Sequence, residues 1–162
     1  MKFDEINLLQ RLIEHEVDFV IVGGVCNILH GVSLLTEDLD VCSRFSIQNL
    51  RRIELALRDL NPKHRMHPQK PAFELTDELA KELKTLYLKT DEGIIDCMSH
   101  IAGIGEFDAV CKVCTPVKFP FGTCQMLSMD ALILSKETMG REHDLVAVRQ
   151  LKAIRERKQR GE

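Results

Sequence analysis

A short apolar run that ends in two glycines constrains the fold of this chain more than any other feature. Residues 18–22 read Asp-Phe-Val-Ile-Val, and Gly23 and Gly24 follow directly. A continuous run of β-branched and aromatic residues is typical of a strand that is buried on both faces. Residues 24–30 then predict a short helix, which Gly31 ends. Because such a strand needs helices to cover it, the sequence predicts an α/β fold.

Helices and strands continue to alternate along the rest of the chain. Apolar periodicity predicts a helix that begins near Asp4 and another that begins after Ser46. Further runs have strand character, namely residues 36–42, 83–89, 93–98, 109–113 and 122–127. We therefore expect one α/β (α+β) domain over residues 1–162. A mixed sheet flanked by helices would form its core at about 17–127, and a helix pair would follow at about 128–158.

The composition excludes several classes of protein. The chain has 162 residues, of which 44% are hydrophobic and 29% are charged, as in ordinary folded domains. No run approaches the ~18 apolar residues of a membrane helix, and the N-terminal segment lacks the apolar stretch of a secretory signal. Six cysteines without such a signal indicate reduced thiols. We expect a cytoplasmic protein with no membrane contact.

The charge balance does not favour nucleic acid as a general partner. The net charge is −3 at pH 7, whereas nucleic-acid-binding domains are usually basic. Two local basic clusters remain, one formed by Lys63, His64, Arg65, His67 and Lys70, the other by residues 155–160. A solvated loop and a solvated helix end are the simpler interpretation of both clusters.

Three acids lie within predicted strands. Asp38 and Asp40 are two residues apart, so their side chains share one face of a strand. Asp96 stands between Ile95 and Cys97 in another apolar strand. Neighbouring carboxylates repel one another when buried, and an oxygen-rich ligand set of this kind suits Mg²⁺ or Mn²⁺. The alternative for Asp38 and Asp40 alone is an exposed strand end.

Gly23 and Gly24 admit two interpretations. Two glycines between a buried strand and a helix let the backbone approach a phosphate group closely, where the helix N-terminus presents free N–H groups. The simpler alternative is a tight turn with no ligand.

These features together resemble the nucleotidyltransferase (DNA polymerase beta-like) superfamily. The resemblance rests on Val20-Ile-Val-Gly-Gly-Val25, on Asp38-Leu-Asp40 and on Ile95-Asp96-Cys97, in that order and at that spacing. His30-Gly31 and Thr36 make the sequence similar to small bacterial nucleotidyltransferases, which include toxins of toxin–antitoxin and abortive-infection pairs. Residues 128–136, with Arg141 and Asp144, resemble the helix pair that follows the catalytic core of that superfamily.

The resemblance implies transfer of a nucleoside monophosphate from an NTP to an acceptor hydroxyl. Asp38, Asp40 and Asp96 would be the catalytic, metal-binding residues for Mg²⁺ or Mn²⁺, and Asp96 would also help to deprotonate the hydroxyl. The implied nucleotide-binding residues are Gly23, Gly24, Thr36, Lys136 and Arg141. Ordinary surface charge is the alternative for the last two, and a turn cap is the alternative for Thr36.

One departure and several alternatives stay open. Relatives with the His-Gly string often carry arginine where this chain has Leu34. A catalytically silent nucleotide-binding protein, or a toxin–antitoxin-type interaction protein, on the same fold is therefore the alternative function. The acceptor, whether a small molecule such as an antibiotic, a tRNA end or a protein hydroxyl, is not indicated. Neither is the base of the NTP, nor whether a homodimer or a partner subunit completes the site.

Cys111 and Cys114 have the spacing of a zinc or redox pair. A structural zinc site needs four ligands, and no second Cys-x-x-Cys exists. We therefore interpret the two as ordinary thiols of a strand.

Overall fold

The computed structural model describes all 162 residues as seven α-helices, nine β-strands and one turn of 3-10 helix at Arg58–Leu60. In chain order the elements are α1 (Phe3–Glu14), β1 (Phe19–Val22), α2 (Gly23–Leu29), β2 (Asp38–Ser43), α3 (Ile47–Leu57), β3 (Lys63–His64), α4 (Asp77–Glu82), β4 (Thr85–Thr90), β5 (Gly93–Met98), β6 (His100–Ile101), β7 (Gly105–Glu106), α5 (Phe107–Cys111), β8 (Cys114–Phe119), β9 (Gly122–Leu127), α6 (Met129–Met139) and α7 (Glu142–Gln159).

One mixed sheet organises the molecule. Its seven strands lie in the order β3-β4-β5-β2-β1-β9-β8, while β6 and β7 form a separate small ribbon. At the centre, β2 pairs with β1 in antiparallel orientation and with β5 in parallel orientation. The predicted fold class, a mixed sheet flanked by helices with a C-terminal helix pair, is confirmed.

The central strands carry apolar side chains towards the helices. All four residues of β1 are buried, as the sequence predicts. On β2, Leu39 and Val41 are fully buried, so the intervening Asp38 and Asp40 project from the opposite face. Helix α1 packs against α3 and also contacts β2, β5 and β9. Ser46 caps α3 by accepting a hydrogen bond from the backbone N–H of Asn49.

The last two helices form the predicted pair. Ser128 caps α6 by accepting from the N–H of Ala131, and Gly140 ends that helix in the left-handed region with φ of 66°. On α7, Val148 and Leu151 are buried. No helix is both long and apolar enough to cross a membrane.

The region around the paired cysteines differs from the prediction. Residues 109–113 were expected to form a strand, but α5 ends there and a strand, β8, follows it. Phe107 and Val110 explain the helix because both are buried at helical spacing. Strand β8 escapes prediction because it contains Pro116, which is tolerated on this edge strand of the sheet.

We expect Leu39→Ala to lower the free energy of unfolding by about 2–5 kcal/mol, because it leaves a cavity in the central strand. Leu35→Ala is the control, since that side chain lies four residues earlier and is 96% exposed. Its effect should stay within about 0.5 kcal/mol. Urea unfolding of both variants measures the difference, and equal values would contradict the assignment of Leu39 to the core.

Candidate active site

Three carboxylates meet on one face of the sheet. Asp38 and Asp40 alternate along β2, and the parallel register places Asp40 directly beside Asp96 of β5. All three line a cleft of about 650 Å³. The structure therefore brings together the three acids that the sequence singles out.

The carboxylates carry more negative charge than their surroundings neutralise. Burial, and then the charges of Asp96 and Asp38, raise the pKa of Asp40 to about 7. Burial and Asp96 also raise the pKa of Asp38. Hard oxygen donors in excess are the chemistry that suits Mg²⁺ or Mn²⁺, so Asp38 and Asp40 fit such an ion. In this structure, no three acidic, histidine or cysteine side chains lie close enough together to hold an ion.

An arginine engages the third carboxylate. Arg65 Nε donates to Asp96 Oδ1 at 3.0 Å, and its terminal NH2 donates to Asp96 Oδ2. The guanidinium carbon also lies 5.4 Å from the ring centroid of Tyr87. Asp96 is thus held by a bidentate ion pair, whereas Asp38 and Asp40 are not.

The two glycines make room for the acidic strand. Gly23 has φ of 63°, and a Cβ there would lie 2.8 Å from the Cβ of Asp40. A Cβ on Gly24 would lie 2.7 Å from the Cβ of Thr36. Both glycines therefore have a steric role at the site, in addition to any role towards a phosphate.

Thr36 stabilises the entry to β2. Its hydroxyl donates to the backbone carbonyl of Asp38 at 3.1 Å. Thr36 lies behind the acids and does not line the cleft. Its direct contact is therefore with the acidic strand.

Two cations from the C-terminal helices face the acids across the cleft. Lys136 is 8% exposed and lies 3.4 Å from Asp144, which is fully buried. Arg141 Nε donates to Asp144 at 2.6 Å. Burial alone would raise the pKa of Asp144, but the hydrogen bond from Arg141 and the charge of Lys136 hold it below its usual value. Asp144 therefore fixes both cations in place at the wall of the cleft.

Two further residues of the resembling string lie outside the cleft. His30 is buried, and its Nε2 lies 2.7 Å from the backbone carbonyl of Leu127. This contact ties the end of α2 to β9, a structural role. Leu34 packs against the core and lines a different cavity, so the cations of the cleft are supplied by other positions.

Sequence reasoning missed Arg65 and Tyr87 as parts of this site. Arg65 was visible only as one member of a basic cluster, and nothing in the sequence indicates that residues 62–73 fold over the acids. The partnership of Asp144 had a signal, because the acid follows Arg141 by three residues at the start of a helix.

The two paired cysteines lie at the junction of α5 and β8, and only Cys114 is in a strand. Cys111 ends α5 and Cys114 begins β8, and the Cys114 thiol donates to the Val110 carbonyl at 2.9 Å. All six cysteines are free thiols.

Three solved structures share this fold. The lincosamide antibiotic adenylyltransferase LnuA, solved with lincomycin bound, aligns with a TM-score of 0.62 at 17% identity, over 95% of this chain and 98% of that one. The antibiotic-resistance factor ANT(2'')-Ia aligns with a TM-score of 0.56 at 11% identity, over 96% and 89%. A candidate nucleotidyltransferase from Thermotoga maritima aligns with a TM-score of 0.54 at 19% identity, over 88% and 86%.

No protein-family model and no curated protein matches the sequence. At 11–19% identity the structural similarities confirm the nucleotidyltransferase fold that the motifs predicted. The activity is a separate question.

The raised pKa of Asp40 makes stability depend on pH. The folded chain keeps a proton on Asp40 up to pH of about 7, whereas the unfolded chain releases it near pH 4. Stability should therefore fall as the pH rises between these values. In buffer with EDTA, Asp40→Asn should exceed the wild type in free energy of unfolding by about 1–3 kcal/mol at pH 8 and by much less at pH 4.

Urea unfolding at the two pH values measures this difference. Glu37→Gln is the control, because Glu37 is exposed and adjoins the acidic strand. The electrostatic account is wrong if Asp40→Asn keeps the pH dependence of the wild type.

Proposed function

We propose that this protein is a Mg²⁺- or Mn²⁺-dependent nucleotidyltransferase that moves a nucleoside monophosphate from an NTP to an acceptor hydroxyl. One observation carries the proposal, namely that the cleft places three carboxylates opposite two fixed cations. Asp38, Asp40 and Asp96 lie on one side, and Lys136 and Arg141 line the same cleft. This is the arrangement that a metal-bound triphosphate needs.

Each residue has a distinct role in this proposal. Asp38 and Asp40 would hold the divalent ion, which when bound neutralises phosphate oxygens. Lys136 and Arg141 would bind the triphosphate, and Asp144 would keep both cations oriented. Gly23 and Gly24 would let the phosphates approach β2. Thr36 would stabilise the start of that strand through its hydrogen bond to the backbone carbonyl of Asp38.

The transfer forms one bond and breaks one. The acceptor oxygen bonds to the α-phosphorus, the bond from that phosphorus to the pyrophosphate oxygen breaks, and pyrophosphate leaves with the electron pair. Asp96 lies beside Asp40 in the cleft and would accept the proton of the acceptor hydroxyl, for which one of its two oxygens has to leave the ion pair with Arg65.

Two structurally similar proteins favour a small-molecule acceptor over a tRNA end or a protein hydroxyl. LnuA was solved with lincomycin bound, and ANT(2'')-Ia was solved with adenylyl-2''-tobramycin.

Calorimetric titration with non-hydrolysable ATP, CTP, GTP and UTP analogues in Mg²⁺ tests the proposal. We expect the wild type to bind at least one analogue and the Asp38→Asn, Asp40→Asn double variant to lose at least about tenfold in affinity, because the ion loses its ligands. Glu37→Gln is again the control and should bind as the wild type does.

Absence of binding to all four analogues by the folded protein would contradict the proposal. That result would instead support a catalytically silent or toxin–antitoxin-type protein on the same fold.

A further inference from the structure

A second cavity, of about 490 Å³, adjoins the cleft and shares Met66 and Tyr87 with it. In the sheet, β4 lies on the far side of β5 from β1, so Tyr87 stands away from Gly23 and α2. The cavity therefore extends from the side of the carboxylates that the triphosphate would leave free. We call this second cavity, which borders the cleft at Met66 and Tyr87, the Tyr87 groove.

The lining of the second cavity contains no acidic residue. Its eight residues include two histidines, His64 and His67, and the rest are uncharged. Tyr87 and Met66 give the second cavity an apolar and aromatic wall where it borders the cleft. A ligand in this cavity contacts these side chains and no carboxylate.

Arg65 lies at this border. Two of its nitrogens donate to Asp96, whereas its remaining terminal nitrogen, NH1, lies 3.2 Å from the sulfur of Met66. A thioether is a weak acceptor, so NH1 has donor capacity left for a better partner. The Arg65 side chain is 26% exposed and lines the cleft next to Met66, at the border with the second cavity.

The charges around this border are unfavourable for a cationic ligand. Arg65 neutralises Asp96, and Asp38 and Asp40 are the residues assigned to the divalent ion. An ammonium group in the groove would therefore face a guanidinium without a carboxylate of its own. A neutral or anionic oxygen would instead accept a hydrogen bond from Arg65.

We propose that the Tyr87 groove is the acceptor site, and that Arg65 makes it select hydroxyl compounds that carry no net positive charge and that place an acceptor oxygen near the reacting hydroxyl. This inference rests on the proposed nucleotidyl transfer for its biological meaning. Binding in the groove can be tested without turnover.

Three probes that differ mainly in charge test the selectivity. Tyramine is cationic, 4-hydroxyphenylethanol is neutral and 4-hydroxyphenylacetate is anionic at neutral pH, and each has one phenol ring to lie against Tyr87. Binding is followed in Mg²⁺ buffer by NMR of the protein labelled at its methionine methyl groups. Met66 reports on the groove, whereas Met139 lines the cleft beside Arg141 and reports on the triphosphate end.

We expect the Met66 signal to shift with the anionic and neutral probes at millimolar concentration, and to require at least roughly tenfold more tyramine. In Arg65→Met this order should reverse, because Asp96 is then free to bind the ammonium group. Tyr87→Ala should weaken all three probes by a few-fold, since the ring contact is lost.

Arg44→Met is the matched control. Arg44 makes the same two kinds of contact as Arg65, because it lies 2.9 Å from the carboxylate of Asp108 and 4.8 Å from the ring centroid of Phe107. It lines neither the cleft nor the Tyr87 groove. Its replacement should leave the probe order unchanged. If Arg65→Met does not fold, Arg65→Lys is used in its place, and the preference for the anionic probe should shrink because the planar fork is lost.

Three results would overturn the inference. The first is that the wild type binds tyramine with the same affinity as 4-hydroxyphenylacetate, the second is that no probe shifts Met66, and the third is that the order of probe affinities is unchanged in the folded Arg65 variant. The same samples titrated with the ATP analogue report separately on the proposed function through Met139. If the ATP analogue does not shift Met139 while the phenol probes shift Met66, the proposed nucleotidyl transfer is contradicted and the inference about the groove stands. If the analogue shifts Met139 while no probe shifts Met66, the inference about the groove is contradicted and the proposed function stands.

Discussion

The parallel register of β2 with β5 sets Asp40 beside Asp96, and the rest of the site is arranged around that pair. Two carboxylates on adjacent strands repel one another, and burial strengthens the repulsion. Burial, and then the charges of Asp96 and Asp38, raise the pKa of Asp40 to about 7, so the charge of Lys136 offsets these effects only in part. Shifting β2 by one residue would turn Asp38 and Asp40 to the buried face of the sheet and expose Leu39 and Val41. Burial of Leu39 and Val41 therefore fixes the register that brings the carboxylates together.

Relief of the repulsion comes from two directions. On one side Arg65 binds Asp96 directly, and on the other Lys136 and Arg141 approach across the cleft. The second arrangement depends on Asp144, because a buried lysine needs a paired anion. Asp144, which does not line the cleft, therefore determines the positions of Lys136 and Arg141.

The sequence predicted those parts of the molecule whose signals are local. Strand β1, the two glycines and the alternation at Asp38 and Asp40 each follow from neighbouring residues. The edge strand β8 was missed because Pro116 interrupts its strand pattern, and the helix α5 was missed because residues 109–113 also have strand character. Arg65 could not be placed, since its partner is 31 residues away and the intervening segment has no periodicity.

The asymmetry of the cleft is the feature that gives the site a direction. One end has two cations that a buried acid holds in place, which suits a polyanion that must bind and leave. The other end has a single guanidinium, already committed in part to Asp96, beside an aromatic wall. In the proposed reaction, a phosphate bound at the first end and a hydroxyl bound at the second would meet at the carboxylates, where Arg65 already pairs with Asp96 whereas Asp38 and Asp40 have no ion pair of their own.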